Sequence, residues 1–217
     1  MKPILFFVFI CLSFSDPAAS QNPTKKTNLY LLAGPSYLNI REITYYNNFV
    51  QKGKDRLGYS AGFGLAHRFG KHIFLNTRFL LERKRFELNY VSYNSSNVLI
   101  GESKQDFSKY YMTLCIIPQY VFGKYFNIGI GFYFSNLYKS TVQIQSYNLI
   151  TFGSSLNQMG KYDHGISMTG GCTVPFKHLI FTLQLANNYG LQKLYPTNPW
   201  YFNAYTILLG LSYKRNR

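Results

Sequence analysis

The reactive side chains in this sequence are few and scattered. Four histidines (His67, His72, His164, His178), three cysteines and eight carboxylates are spread over 217 residues. His72 and His178 stand beside tight-turn signals, where an interfacial or solvated role accounts for them. His164 and Ser167 lie three apart in an alternating segment. That spacing sends them to opposite faces and separates a nucleophile from its base. A surface lipid-modifying barrel hydrolase would need to pair a His with a Ser or Glu from different strands, and this stands as the alternative from another class. The carboxylates are too dispersed to form an oxygen cage for a cation. The sequence therefore predicts no catalytic residue, no cofactor-binding residue, no cofactor and no metal ligand. Cys11 falls in the N-terminal apolar run, while Cys115 and Cys172 fall on opposite faces of non-neighbouring segments. They read as small apolar fillers, and a disulfide is not expected even in an oxidising compartment.

The elements that must carry these side chains follow from composition and rhythm. Lys and Arg total 23 against 8 Asp and Glu, a formal charge of +15, yet only 14% of residues are charged and 18% are aromatic. A disordered polyelectrolyte would be poor in aromatics. Twenty Tyr, nineteen Phe and seventeen Gly favour sheet and turn over helix interiors. A mean hydropathy of −0.12 is too polar for a bundle of membrane helices. The length suits one domain.

The N-terminus carries an export address. Lys2 precedes the apolar run Ile4–Leu12, and Ala18-Ala19-Ser20 puts small residues at a cleavage site before Gln21. Residues 1–20 are expected to be a signal peptide and 21–217 the mature domain. A lipoprotein signal using Cys11 would place bulky Ile10 before the acylated cysteine, which disfavours it. Cleavage removes Lys2 and Asp16 together, so the charge stays at +15.

Three short turn signals, Phe69-Gly70-Lys71, Phe122-Gly123-Lys124 and Pro175-Phe176-Lys177, put lysines 53 residues apart twice. Each is flanked by segments alternating with period 2. Between the pairs lie long polar stretches at about 41–56, 86–108, 139–160 and 190–202. The segments predict eight strands, at 28–40, 57–69, 73–85, 109–122, 125–138, 161–174, 179–189 and 203–214. In the fifth, Phe126, Ile128, Ile130, Phe132 and Phe134 oppose Asn127, Gly129, Gly131, Tyr133 and Ser135. A soluble lipocalin-like binding barrel in the periplasm, or a sandwich, would alternate too. Two features favour a membrane: the polar face is rich in Gly, Ser and Thr, as a narrow lumen requires. Aromatics also cluster at both segment ends, Phe69, Phe122, Tyr125, Phe126, Phe176 and Tyr213 at one and Tyr37, Tyr110, Tyr138, Tyr162, Tyr189 and Tyr201 at the other. The expectation is an all-β, eight-stranded antiparallel up-and-down transmembrane β-barrel with short periplasmic turns and long extracellular loops.

The run Tyr111–Tyr120 (YMTLCIIPQY), the turn Val121–Lys124, the glycine-spaced strand Asn127–Phe134, Gly58–Gly70 (GYSAGFGLAHRFG) and Tyr189-Gly190-Leu191 together resemble PorT-like β-barrels, small outer-membrane barrels of Bacteroidetes-type bacteria. The resemblance covers essentially the whole mature chain as pattern. The ending Lys214-Arg215-Asn216-Arg217 after Tyr213 departs from the aromatic finish common in such barrels. The resemblance implies an outer-membrane location in the cell envelope and allows a place in an envelope or secretion assembly.

Arg68, Arg78, Glu82, Gln119, Asn127, Asp163 and Gln184 are expected to face the lumen, as a plug of paired charges and amides rather than a conduit, with Arg78 and Glu82 in one internal network. Lys52, Lys54, Arg56, Arg83, Lys84, Arg85, Lys104 and Lys109 are expected at the outer rim. The expected partners are outer-membrane lipids and lipopolysaccharide, whose phosphates attract that rim, with other envelope proteins next. Dispersed basic residues on an exported chain predict no nucleic-acid binding. The expected role is structural or interactive, with no enzyme activity and no wide pore.

Overall fold

The computed structural model describes residues 27–39, 43–46, 49–70, 72–94, 96, 98–123, 125–147, 161–176, 178–191 and 202–213. The expected signal peptide, the three turn lysines and the basic C-terminal tail lie outside them. The strands are β1 (Thr27–Asn39), β2 (Ile43–Tyr46), β3 (Phe49–Arg68), β4 (Ile73–Tyr93), β5 (Leu99–Phe122), β6 (Phe126–Tyr147), β7 (Tyr162–Phe176), β8 (Leu179–Gly190) and β9 (Asn203–Tyr213). Each pairs antiparallel with its sequence neighbour from β2 to β9. β1 pairs with both β9 and β3, which closes the ring. β2 is a four-residue hairpin arm on β3, so eight strands make the barrel.

Period-2 alternation decides which side is which. Phe132 is 72% exposed and Leu209 65%, whereas Arg78 and Gln184 inside are 1% exposed. A water-soluble barrel would bury the aliphatic set and expose the arginine. Here that order is inverted, as it must be when the outer solvent is hydrocarbon. From Phe126 to Phe134 the apolar face of β6 covers roughly 25–30 Å at about 3.3 Å per residue, the height of an outer-membrane apolar band. Phe69, Phe122, Phe126, Phe176 and Tyr213 are exposed at the tight-turn end, and Tyr37, Tyr138, Tyr162 and Tyr189 at the other. Gly123 takes φ +63° in the β5–β6 turn, a conformation that excludes most side chains there.

The long loops are shorter than the sequence suggested, and this is a correction. Residues 49–56, 86–93, 99–108 and 139–147 continue as paired strand. Their polar composition resembles that of loops because both sides of the ribbon stand clear of lipid. Four strands, β3 to β6, thus rise beyond the aromatic belt as one sheet. Above Tyr110, β5 adds about 35 Å of strand at the usual rise per residue.

Candidate functional site

Inside the barrel the polar residues form tiers. Near the periplasmic end the Tyr30 hydroxyl donates to Asn76 Oδ1, Asn76 Nδ2 to Gln119 Oε1 at 3.1 Å, and Gln119 Nε2 to Thr169 Oγ1 at 3.2 Å. This chain of bonds crosses the lumen from β1 to β7. Gly64 is required for it: a Cβ there would lie 2.3 Å from Tyr30 Cζ. Higher up, Glu82 accepts from Ser60 and Thr113. Above that, Lys84 Nζ donates to Asp163 Oδ2 at 3.0 Å and lies 4.0 Å from Glu82 Oε2, while Tyr133 Oη donates to Asp163 Oδ1 at 3.1 Å.

Aromatic rings close the outer mouth. Phe86 and Phe107 stack with centroids 4.7 Å apart, Phe202 leans on Phe86 and on Tyr111, and Leu38 and Leu88 complete the cluster. The Lys84 ammonium sits beneath this roof, 4.8 Å from the Tyr111 ring centre, 5.3 Å from Phe202 and 5.7 Å from Tyr133. A salt bridge, an aromatic cage and an apolar cap together make the lumen a plug.

Of the expected lumen set, Arg78, Glu82, Gln119, Asn127, Asp163 and Gln184 are buried inside. Arg68 lies at the periplasmic mouth, its Nε donating to the Gly70 carbonyl at 2.7 Å. Two expectations are corrected. Arg78 joins the Tyr30 tier rather than the network of Glu82, and neither carboxylate of the lumen lies within 4 Å of its nitrogens. Lys84 and Lys109, expected at the outer rim, are 2% and 1% exposed within the barrel. Their neighbours Arg83 and Arg85 invited the misplacement. Parity gives the signal that finds them, because Glu82 faces inward and Lys84, two residues on, must follow it.

His164 is exposed on the lipid side while Ser167 is buried and donates to Asn188 at 2.7 Å, so the two do not meet. Cys115 is buried in the lumen and Cys172 is partly buried; both are free thiols. Among the described residues no three His, Cys, Asp or Glu side chains converge on a cation.

The outward face of the risen sheet is the other distinctive surface. At the aromatic belt, Tyr59, Arg83, Tyr110 and Lys139 lie side by side across β3, β4, β5 and β6. The next row carries Arg56, Arg85, Ser108 and Thr141, the third Lys54, Glu87, Asp106 and Gln143, and the fourth presents Lys104 beside Asn89. These rows hold six cations against two carboxylates. Both carboxylates are already taken, Glu87 by Arg56 and Asp106 by Arg85 at 3.0 Å. Burial pushes the Glu87 carboxyl up, but the Arg56 guanidinium, with Asn89 and Lys104 adding, outweighs it and holds the group below its usual range. Arg83 and Lys139 flank one ring, at 5.6 and 5.7 Å from the centre of Tyr110. Neither has a carboxylate within 4 Å among the described residues. Two unpaired cations around one tyrosine at the membrane surface form a ready seat for an anion that itself carries apolar chains.

A family model described as outer membrane protein beta-barrel domain matches residues 19–195. No curated protein matches the chain. Among solved structures, OprG from Pseudomonas aeruginosa is 8% identical with TM-score 0.48, covering 89% of this chain and 98% of that one. Ail, the attachment invasion locus protein of Yersinia pestis, in complex with the heparin analogue sucrose octasulfate, is 12% identical with TM-score 0.43, covering 87% and 97%. Neisserial surface protein A is 12% identical with TM-score 0.43, covering 88% and 99%.

Proposed function

The chain belongs to the outer membrane protein β-barrel domain family and resides in the outer membrane, and from that premise we propose that it is a non-enzymatic interaction scaffold whose basic sheet face holds lipopolysaccharide. One observation carries this reading: the row Tyr59–Arg83–Tyr110–Lys139 sets two cations without acid partners at the aromatic belt, with further cations rising above it. The phosphates of lipid A lie at that height, and the sugar acids of the inner core lie above them. Residues 1–20 serve as the export signal and 21–217 as the barrel. The plugged lumen supports a scaffold over a pore.

Lipid binding by the full-length barrel is tested by native mass spectrometry with bisphosphorylated lipid A and with its dephosphorylated counterpart. Near an anionic surface each basic residue is worth about 1 kcal/mol. Replacing Arg83 and Lys139 together by Gln should therefore weaken retention of the phosphorylated lipid roughly thirtyfold. Equal retention of both lipids, or an unchanged double variant, would defeat the assignment.

A second reading is favoured by a separate observation. Beyond Tyr138, β6 pairs with β5 on one side and with no strand on the other among the described residues. An open edge of this kind suits a partner protein that adds a strand. It accords with a PorT-like subunit of an envelope or secretion assembly. Migration of the native protein in a large reproducible complex would support it, and a single small particle would count against it.

A further inference from the structure

One buried ion inside the barrel, Arg78, keeps an open hydrogen-bonding edge. It is 1% exposed, and its Nε and Nη2 have no hydrogen-bond partner among the described residues. These two N–H groups share one edge of the guanidinium, the edge that grips anions with two parallel bonds. Lysines can shed a proton when buried, but arginine cannot, so Arg78 carries its charge into the lumen permanently. A buried charge without a counter-charge is costly.

The protein's own acids are committed elsewhere. Glu82 accepts from Ser60 and Thr113, and Asp163 is held by Lys84 and Tyr133. The residues opposite Arg78 on its two neighbouring strands are Gly64 and Cys115, neither of them acidic. Lys84 is the one buried lysine bonded to a lumen acid, so no carboxylate of the lumen is left to bond the open edge of Arg78.

We propose that the lumen holds one small inorganic anion, of halide size, on the Nε/Nη2 edge of Arg78. An eight-stranded lumen filled by side chains leaves room for a monatomic ion rather than an oxyanion. The ion is enclosed beneath the Phe86–Phe107–Phe202 roof and above the Tyr30–Asn76–Gln119 tier, so it enters when the barrel folds and stays as a structural component.

Bromide is the probe. The full-length protein is refolded and crystallised with bromide as the only halide, and anomalous differences are measured. An anomalous peak within hydrogen-bond distance of both Arg78 Nε and Nη2 is the expected result. Ordered water there without anomalous signal, or bromide only beside Lys109, overturns the proposal. Refolding at fixed ionic strength in gluconate and in bromide gives a second measure. The bromide concentration for half-maximal stabilisation should rise at least tenfold in Arg78→Lys, which keeps the charge and loses the two-pronged edge. An Arg78→Lys barrel with the wild-type bromide dependence would also refute the site.

Discussion

Replacing Lys84 by Met tests whether the lumen is held by paired charge or by close-fitting volume. The substitution keeps the chain length and removes the ammonium from Asp163 at 3.0 Å, where both side chains are 2% exposed. Asp163 would then keep only the Tyr133 hydroxyl, and Glu82 would lose the cation 4.0 Å from it. Breaking a buried pair from one side costs about 3–5 kcal/mol, because the surviving charge stays buried without its partner. The three rings around Nζ lose a cation contact as well, a term of about 1 kcal/mol each or less. Sulfur against those same rings returns part of it. The expected loss is therefore about 4 kcal/mol. It is read from urea unfolding of the barrel refolded into lipid vesicles, followed by circular dichroism and by the mobility difference of folded and unfolded barrel on cold SDS gels. The decisive comparison is Lys84→Met combined with Asp163→Asn. With both charges gone, the neutral amide can still accept from Tyr133, and stability should recover by about 2 kcal/mol or more relative to Lys84→Met alone. Additive losses in the double variant, or a loss below about 1 kcal/mol in Lys84→Met, would refute the account of a charge-paired plug.

Acid should loosen the risen sheet before the barrel. Glu87 has its folded pKa depressed, so its bond to Arg56 contributes fully above the ordinary carboxylate pKa and is lost as pH falls through the lower folded value. Because Arg56 is 40% exposed, the contribution is at most about 1 kcal/mol. Arg56→Gln should lower stability at neutral pH by up to that amount and leave it unchanged once Glu87 is protonated, so the fall on acidification below about pH 4.5, the usual carboxylate value, flattens; hydrogen exchange on residues 85–89 would report it. Gly64→Val should destabilise by about 2–3 kcal/mol, since its Cβ would meet Tyr30 Cζ at 2.3 Å and break the Tyr30–Asn76 bond. Adding Tyr30→Ala should restore part of that loss in the same unfolding assay, and no rescue would show that the clash lies elsewhere.

The barrel was legible because lipid and lumen impose opposite demands on successive residues, as Phe126–Ser135 displays in full. The tight turns were legible for a similar reason: Gly123 marks the one place in its hairpin where the backbone must turn left-handed. The risen sheet was not, because out of the bilayer neither face needs to be apolar. Its signal was nonetheless present, as Phe86, Leu88 and Tyr90 alternate with Arg85, Glu87 and Asn89. The family resemblance pointed to the outer membrane, which the family match supports. Lumen partners were the least legible, since Lys84 and Asp163 stand 79 residues apart and meet only through barrel closure. No local pattern marks which of several inward acids a given cation will reach.

The unequal strand lengths have a consequence in the plane of the membrane. β3 to β6 run to 20–24 residues, whereas β7 to β9 and β1 run to 11–15. A cylinder of even height presents the same profile to every neighbour and can spin without changing what they meet. With a tall wall on one flank and a low one opposite, rotation about the membrane normal is no longer neutral. The protein has a bow and a stern, and neighbours drifting in the leaflet meet a different molecule depending on the bearing from which they approach.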